Sequence, residues 1–117
     1  MPKKKGSNTS KILLVVLVVA VISVAFLAWH DGKIGVTPLG SINDLSIDTG
    51  TPVRVRGTIT IILLNSVTIT DGTGTVVFTW ADADSLTVSS IIVVTAEVNT
   101  AHTLVDVTSV STVWIFA

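Results

Sequence analysis

The sequence predicts an all-β fold, a five-stranded barrel, carried behind one transmembrane α-helix. Three observations predict it. Residues Ile12 to Trp29 form an uncharged apolar run, the chain beyond Ser41 breaks into short runs rich in Val, Ile and Thr, and turn residues punctuate those runs at regular intervals. β-branched side chains suit a pleated, half-buried surface, and turn signals at that spacing mark an antiparallel sandwich or barrel. A chain of 117 residues has room for one such domain.

The apolar run reads ILLVVLVVAVISVAFLAW, with Ser23 its single polar side chain. At about 1.5 Å per residue it is roughly 27 Å long, close to the hydrocarbon thickness of a bilayer. A domain this small cannot surround such a helix on every side, which argues against a buried core helix. Lys3, Lys4, Lys5 and Lys11 precede the run, while Asp31 and Lys33 nearly cancel after it. The positive-inside rule then predicts a cytoplasmic N-terminus and an extracytoplasmic domain, with Trp29 as an interfacial aromatic. A cleaved leader is disfavoured. The run exceeds the usual 7–15 residue signal core, and the Ala25-Phe26-Leu27-Ala28 exit puts a bulky residue where a small one is wanted. The expected organisation is a basic cytoplasmic segment at 1–11, the membrane helix at 12–29, a linker at 30–40 and the barrel at 41–117.

Charge divides along the same boundaries. Residues 1–11 carry +4, whereas residues 30–117 carry three basic against eight acidic side chains, a net −5. The absence of cysteine excludes a disulfide framework, a thiolate metal site, a covalently attached c-type haem and a lipidated cysteine.

In the barrel region, Pro52 to Leu63 reads as a first strand. Val53 and Val55 alternate with Arg54 and Arg56, and Ile59, Ile61 and Leu63 are expected to continue the apolar face beyond Gly57, which marks a bulge or bend. Val67 to Thr70 is a second strand, with Val67 and Ile69 inward. Asp71-Gly72-Thr73-Gly74 is a hairpin turn leading to a third strand, Thr75 to Trp80. Ala81 to Ser90 forms a loop or a short helical turn. Ile91 to Val98 is a fourth strand, Asn99 to Thr103 a hairpin loop, and Leu104 to Phe116 a long fifth strand.

The runs Val53-Arg54-Val55-Arg56-Gly57-Thr58-Ile59 and Val67-Thr68-Ile69-Thr70-Asp71-Gly72-Thr73-Gly74 resemble the V-x-V-x-G-x-I … L-x-L-x-D-x-x-G pattern of OB-fold proteins. The resemblance covers Ser41 to Phe116 and implies a barrel that hosts many binding roles. Two branches share the pattern. Anticodon-binding-like OB domains imply single-stranded nucleic acid on strands two and three. The haem chaperones of cytochrome c maturation share the order of basic start, single helix and outside barrel, and imply haem as a partner. Their haem-attaching histidine or cysteine and the tyrosine after it have no counterpart here, so none is carried over.

Chemistry beyond binding finds little footing. The histidines are His30, at the membrane boundary, and His102, in a hairpin loop. Asp106 is four residues from His102, about 13 Å along a strand, too far to share an ion. Asp71, Asp82 and Asp84 lack the oxygen count and closing glutamate of a calcium loop, and the turn accounts for Asp71 without a metal. No G-x-S-x-G elbow or phosphate loop occurs. The expectation is a non-enzymatic, membrane-anchored binding or assembly module with no cofactor. Its candidate ligand or partner surface comprises Arg54, Arg56, Phe78, Trp80, His102 and Trp114. Nucleic acid is disfavoured by the acidic balance, and Phe78 and Trp80 share a strand face with Val76 that suits the core better than stacking. Val113 to Phe116 is apolar on both faces, so Trp114 and Phe116 either close the barrel or meet a partner. A haem-handling protein and a pilin-like subunit, the latter from Lys5-Gly6 ahead of the helix, are the further alternatives.

Overall fold

The structure is a computed structural model that describes residues 2–117, with side chains from Asn8 onward; Lys3, Lys4, Lys5 and the Lys5-Gly6 junction lie outside the described side chains. Helix α1 spans Pro2–His30 and the short α2 spans Leu39–Asn43. Strands β1 (Pro52–Leu63), β2 (Ser66–Thr70), β3 (Thr75–Thr79), β4 (Ile91–Val98) and β5 (Leu104–Thr112) follow, with a 3₁₀ turn at Ala83–Ser85.

The strands pair antiparallel in the order β3-β2-β1-β4-β5. The sheet curls until its two edges approach, where Val77 and Thr103 form a single parallel bridge and Val77 N–H donates to the His102 carbonyl at 2.8 Å. The result is a partly open, five-stranded barrel of OB-like form.

Register decides which side chains enter. Ile59, Ile69 and Val76 form one inward row and Ile62, Val67 and Phe78 another, while Val53, Val55, Ile92, Val94, Ala96 and Val98 fill the other half. The expected apolar face of β1 holds only as far as Ile59. The β1–β2 register shifts between Ile59 and Ile61, so the bulge falls at Thr60 and not at Gly57. An extra residue reverses the inside-outside parity of everything beyond it. Ile62 therefore packs on the core, while Ile61 is 50% and Leu63 69% exposed. Gly57 has another task. A Cβ there would lie 3.0 Å from the Ile69 Cβ, so the glycine lets two strands approach closely.

The hairpin beyond the bulge turns through Leu64, which has φ 55° and is almost fully exposed. A left-handed backbone is unfavourable for a branched apolar residue and free of that penalty for glycine. Leu64→Gly is expected to raise stability by about 0.5–1 kcal/mol in urea titration.

The segment expected as a linker is instead part of the folded unit. Leu39 and Ile42 are fully buried against the barrel interior. Asn43 ties α2 to two loops, donating from Nδ2 to the carbonyls of Thr75 (2.8 Å) and Ala101 (2.6 Å) and accepting at Oδ1 from Thr75 N–H (2.8 Å). Asp71 shapes its own turn, accepting from Thr73 N–H at 2.8 Å and Gly74 N–H at 3.1 Å, and its other oxygen takes Leu39 N–H at 2.9 Å. Burial raises the Asp71 pKa, and the N–H groups of Leu39, Thr73 and Gly74 with the Thr73 hydroxyl outweigh it, leaving the carboxyl below its ordinary value.

Strand β5 is shorter than expected. Regular pairing stops at Thr112, Val113 N–H still reaches the Ile91 carbonyl at 3.2 Å, and residues 114–117 leave the sheet to fold back on the base of α1. Trp114, 61% exposed, does not close the barrel.

Candidate functional site at the helix–barrel joint

The C-terminus of α1 ends in a tight cap. Gly32 N–H donates to the Trp29 carbonyl (3.1 Å) and Lys33 N–H to the Ala28 carbonyl (2.9 Å), with Gly32 at φ 75°. These are the two bonds of a Schellman motif, for which glycine is the favoured residue. Gly32 also lies where a Cβ would come 2.9 Å from both the Arg56 Cδ and a Val93 methyl, so the turn is pressed onto the sheet. Arg54 completes the cap. Its Nη2 donates to the carbonyls of Trp29 and His30, the latter at 3.0 Å, and its guanidinium lies 4.1 Å from the Trp29 ring centroid. A cation at a helix C-terminus is favoured by the helix dipole and by the aromatic face.

Asp31 is the hub. It is fully buried, and its two oxygens accept from the backbone N–H groups of Trp114 (2.7 Å), Ile115 (2.8 Å) and Phe116 (2.8 Å). His30 Nδ1 lies 2.8 Å from Asp31 Oδ1, and the His30 ring stacks on Trp114 at 3.4 Å. Burial pushes the Asp31 carboxyl up, but the N–H groups of Phe116 and Trp114, then His30 and the Ile115 N–H, outweigh it and hold the group well below the ordinary 3.8. A carboxylate lowered in this way contributes stability that is complete above its unfolded value and is lost as pH falls through the folded one. Below about pH 4 the C-terminal segment is therefore expected to undock progressively, read as a shift of the Trp114 indole resonance.

The candidate residues divide sharply in this geometry. Arg54 and Arg56 belong to the joint; Arg56 Nη2 donates to the Phe116 carbonyl at 2.6 Å, and its Nε is buried without a partner. Trp114 joins them through Asp31. Phe78, only 2% exposed, lies in the core, and Trp80 packs partly buried against it. Phe78 therefore offers no stacking platform. His102 is exposed in the β4–β5 loop, 3.4 Å from Asn43 Nδ2, far from the joint in the chain and tied to different partners. Among the described residues no three His, Asp or Glu side chains gather as a metal-holding group.

Two outer surfaces remain. On β1–β2–β3 the outward rows are Thr58, Thr70 and Thr75; Ile61, Thr68 and Val77; and Leu63, Ser66 and Thr79. They carry hydroxyls and methyls, without a basic or aromatic side chain. On β1–β4–β5 the outward rows are Arg54, Thr95 and Ser109, and Arg56, Val93 and Ser111. The end of α1 lies across this second face, leaving a cleft of about 460 Å³ lined by Trp29, His30, Arg54, Val93, Thr95, Ser109 and Ser111. Sequence reading missed Asp31 and this cleft. An acid directly before a helix-capping glycine was the available signal, since a carboxylate there opposes the helix dipole and needs compensation.

Curled sheet, strand order and bridged edges define an all-β protein of OB-like fold. Solved structures agree. The chain is similar to the telomere capping protein Ten1 from Saccharomyces pombe, at 15% identity and a TM-score of 0.57, over 67% of this chain and 79% of that one. It is likewise similar to the S. pombe Stn1-Ten1 complex, at 14% identity and a TM-score of 0.57, over 70% of this chain and 78% of that one. No protein-family model and no curated protein matches the sequence. At these identities the likeness shows the fold.

Proposed function

We propose that the chain is a non-enzymatic OB-like module, held to a membrane by α1, that binds or scaffolds a protein partner outside the cytoplasm. One observation carries this reading: the apolar helix is built into the barrel through Asp31, Gly32 and Arg54. A leader destined for removal has no use for such a joint. The span Asn8–His30 holds 23 residues and is uncovered by the barrel until its last turn. An uncovered apolar helix of that length matches a bilayer, and the lysines before it favour a cytoplasmic start. The likeness to the Stn1-Ten1 complex supports protein partnership. Mass measurement on carbonate-washed membranes tests the anchor. The expected result is the full-length chain in the membrane pellet; a chain shortened at Ala28, or recovered in the soluble fraction, would remove the reading.

A second reading is favoured by the comparisons. The similarity to a telomere capping protein supports an OB module for single-stranded nucleic acid, which such barrels bind on strands two and three. The outward rows of β2 and β3 supply hydroxyl groups for it but no cation and no ring. Fluorescence anisotropy with single-stranded oligonucleotides decides between the two. Binding at low salt that weakens as salt rises would establish the nucleic-acid reading, and no binding at low salt would close it. The haem-handling and pilin-like alternatives rest on sequence resemblance alone.

A further inference from the structure

We propose that the cleft between the end of α1 and the outer face of β4 and β5 is a binding site for the phosphate of an anionic phospholipid headgroup. The inference rests on the membrane reading above and deepens it.

Four observations converge. First, the cleft is walled by Trp29 and His30, the residues with which the apolar helix ends. With the helix in a bilayer, this is the level of the headgroups. Second, its floor offers the hydroxyls of Thr95, Ser109 and Ser111, which donate to phosphate oxygens. Third, Arg54 lies in it without a carboxylate partner: among the described residues none is within ion-pair distance. Its Nη groups meet the backbone carbonyls of Trp29, His30 and Ile34, and a guanidinium with five N–H groups keeps donors to spare. Burial lowers the Arg54 pKa, and an anion seated beside it would offset that cost.

The fourth observation concerns the whole domain. Of its eleven charged side chains beyond His30, the three basic ones are Lys33, Arg54 and Arg56. The two arginines belong to the joint, Arg54 through the α1 carbonyls and Arg56 through Phe116, while Lys33 follows in the turn that caps α1. The acid among them, Asp31, is ionised, and its oxygens face the backbone N–H groups of Trp114, Ile115 and Phe116. An otherwise acidic barrel thus sets both of its arginines at the end of the apolar helix, at the expected level of the headgroups. Phosphate recognition by arginine and hydroxyl donors is the chemistry this cleft can perform.

Full-length chain reconstituted with phosphatidylcholine and phosphatidylglycerol, then examined by native mass spectrometry, tests the assignment. Retained phosphatidylglycerol is expected to exceed phosphatidylcholine by about fivefold after correction for composition. Ser109→Leu, which fills the floor without touching the joint's hydrogen bonds, and Arg54→Gln are each expected to abolish the preference. Absence of a preference, or one that survives both substitutions, overturns the proposal. Retention of inorganic phosphate in place of lipid overturns the lipid assignment. A chain that fails even to partition into pure phosphatidylcholine vesicles overturns the membrane reading and this site with it, a result distinct from partitioning without selectivity.

Discussion

Asp31→Ala is expected to free the C-terminal segment and loosen the barrel from its helix. Three successive backbone N–H groups, at Trp114, Ile115 and Phe116, converge on this one carboxylate. Bonds to an ionised acceptor are among the stronger hydrogen bonds in proteins, and a donor left unpaired in a buried position incurs its full desolvation cost. Removal of the carboxylate would orphan all three donors, release the His30–Trp114 stack and leave Arg56 without the Phe116 carbonyl. Hydrogen exchange at the three amides is expected to accelerate by about two orders of magnitude, while β1 and β4 amides stay protected. Asp31→Asn keeps one accepting oxygen and should fall between the two. Unchanged exchange in the alanine variant would show that the segment is held by something else.

Phe78→Ala is expected to have the largest effect on the barrel itself. The ring is among the largest fully buried side chains and stands in the inward row with Val67 and Ile62. Truncation of a buried aromatic costs about 3–5 kcal/mol through lost transfer energy and the cavity left behind, a large share of the ~5–15 kcal/mol typical of a whole domain. The neighbouring Thr79 points outward, so Thr79→Ala should change stability by no more than about 0.5 kcal/mol. Urea titration in detergent compares them. If Phe78 were a stacking platform for a ligand, its removal would leave the fold intact and abolish binding, the opposite outcome.

Local pattern carried most of the barrel. The bounds of β1 and β4 fall at Pro52–Leu63 and Ile91–Val98 as the alternation predicts, because side-chain period and strand burial are the same physical fact. What the pattern could not carry was any long-range choice. The bulge at Thr60 is a property of the β1–β2 register, and nothing in the triad Thr60-Ile61-Ile62 says which isoleucine turns inward. Gly57 drew attention as the breaker, yet it serves the close approach of Ile69. The tail from Val113 to Phe116 has strand-forming residues, yet beyond Val113 it leaves the sheet, where the N–H groups of Trp114, Ile115 and Phe116 find a stronger acceptor in Asp31, more than 80 residues earlier. The site was legible only in part. Arg54, Arg56 and Trp114 do meet at one place, the joint, whereas Phe78 belongs to the core and His102 to a separate loop. Asp31 read as a flanking charge because its compensation is entirely tertiary.

The position of the barrel relative to the bilayer is directly measurable, because the sequence has no cysteine of its own. Thr79→Cys places one thiol on the exposed outer face of β3. In intact cells, a membrane-impermeant maleimide is expected to label this variant as a full-length, membrane-bound chain without lysis. Labelling that requires lysis, or that marks a soluble chain, would contradict the anchored, outward-facing barrel.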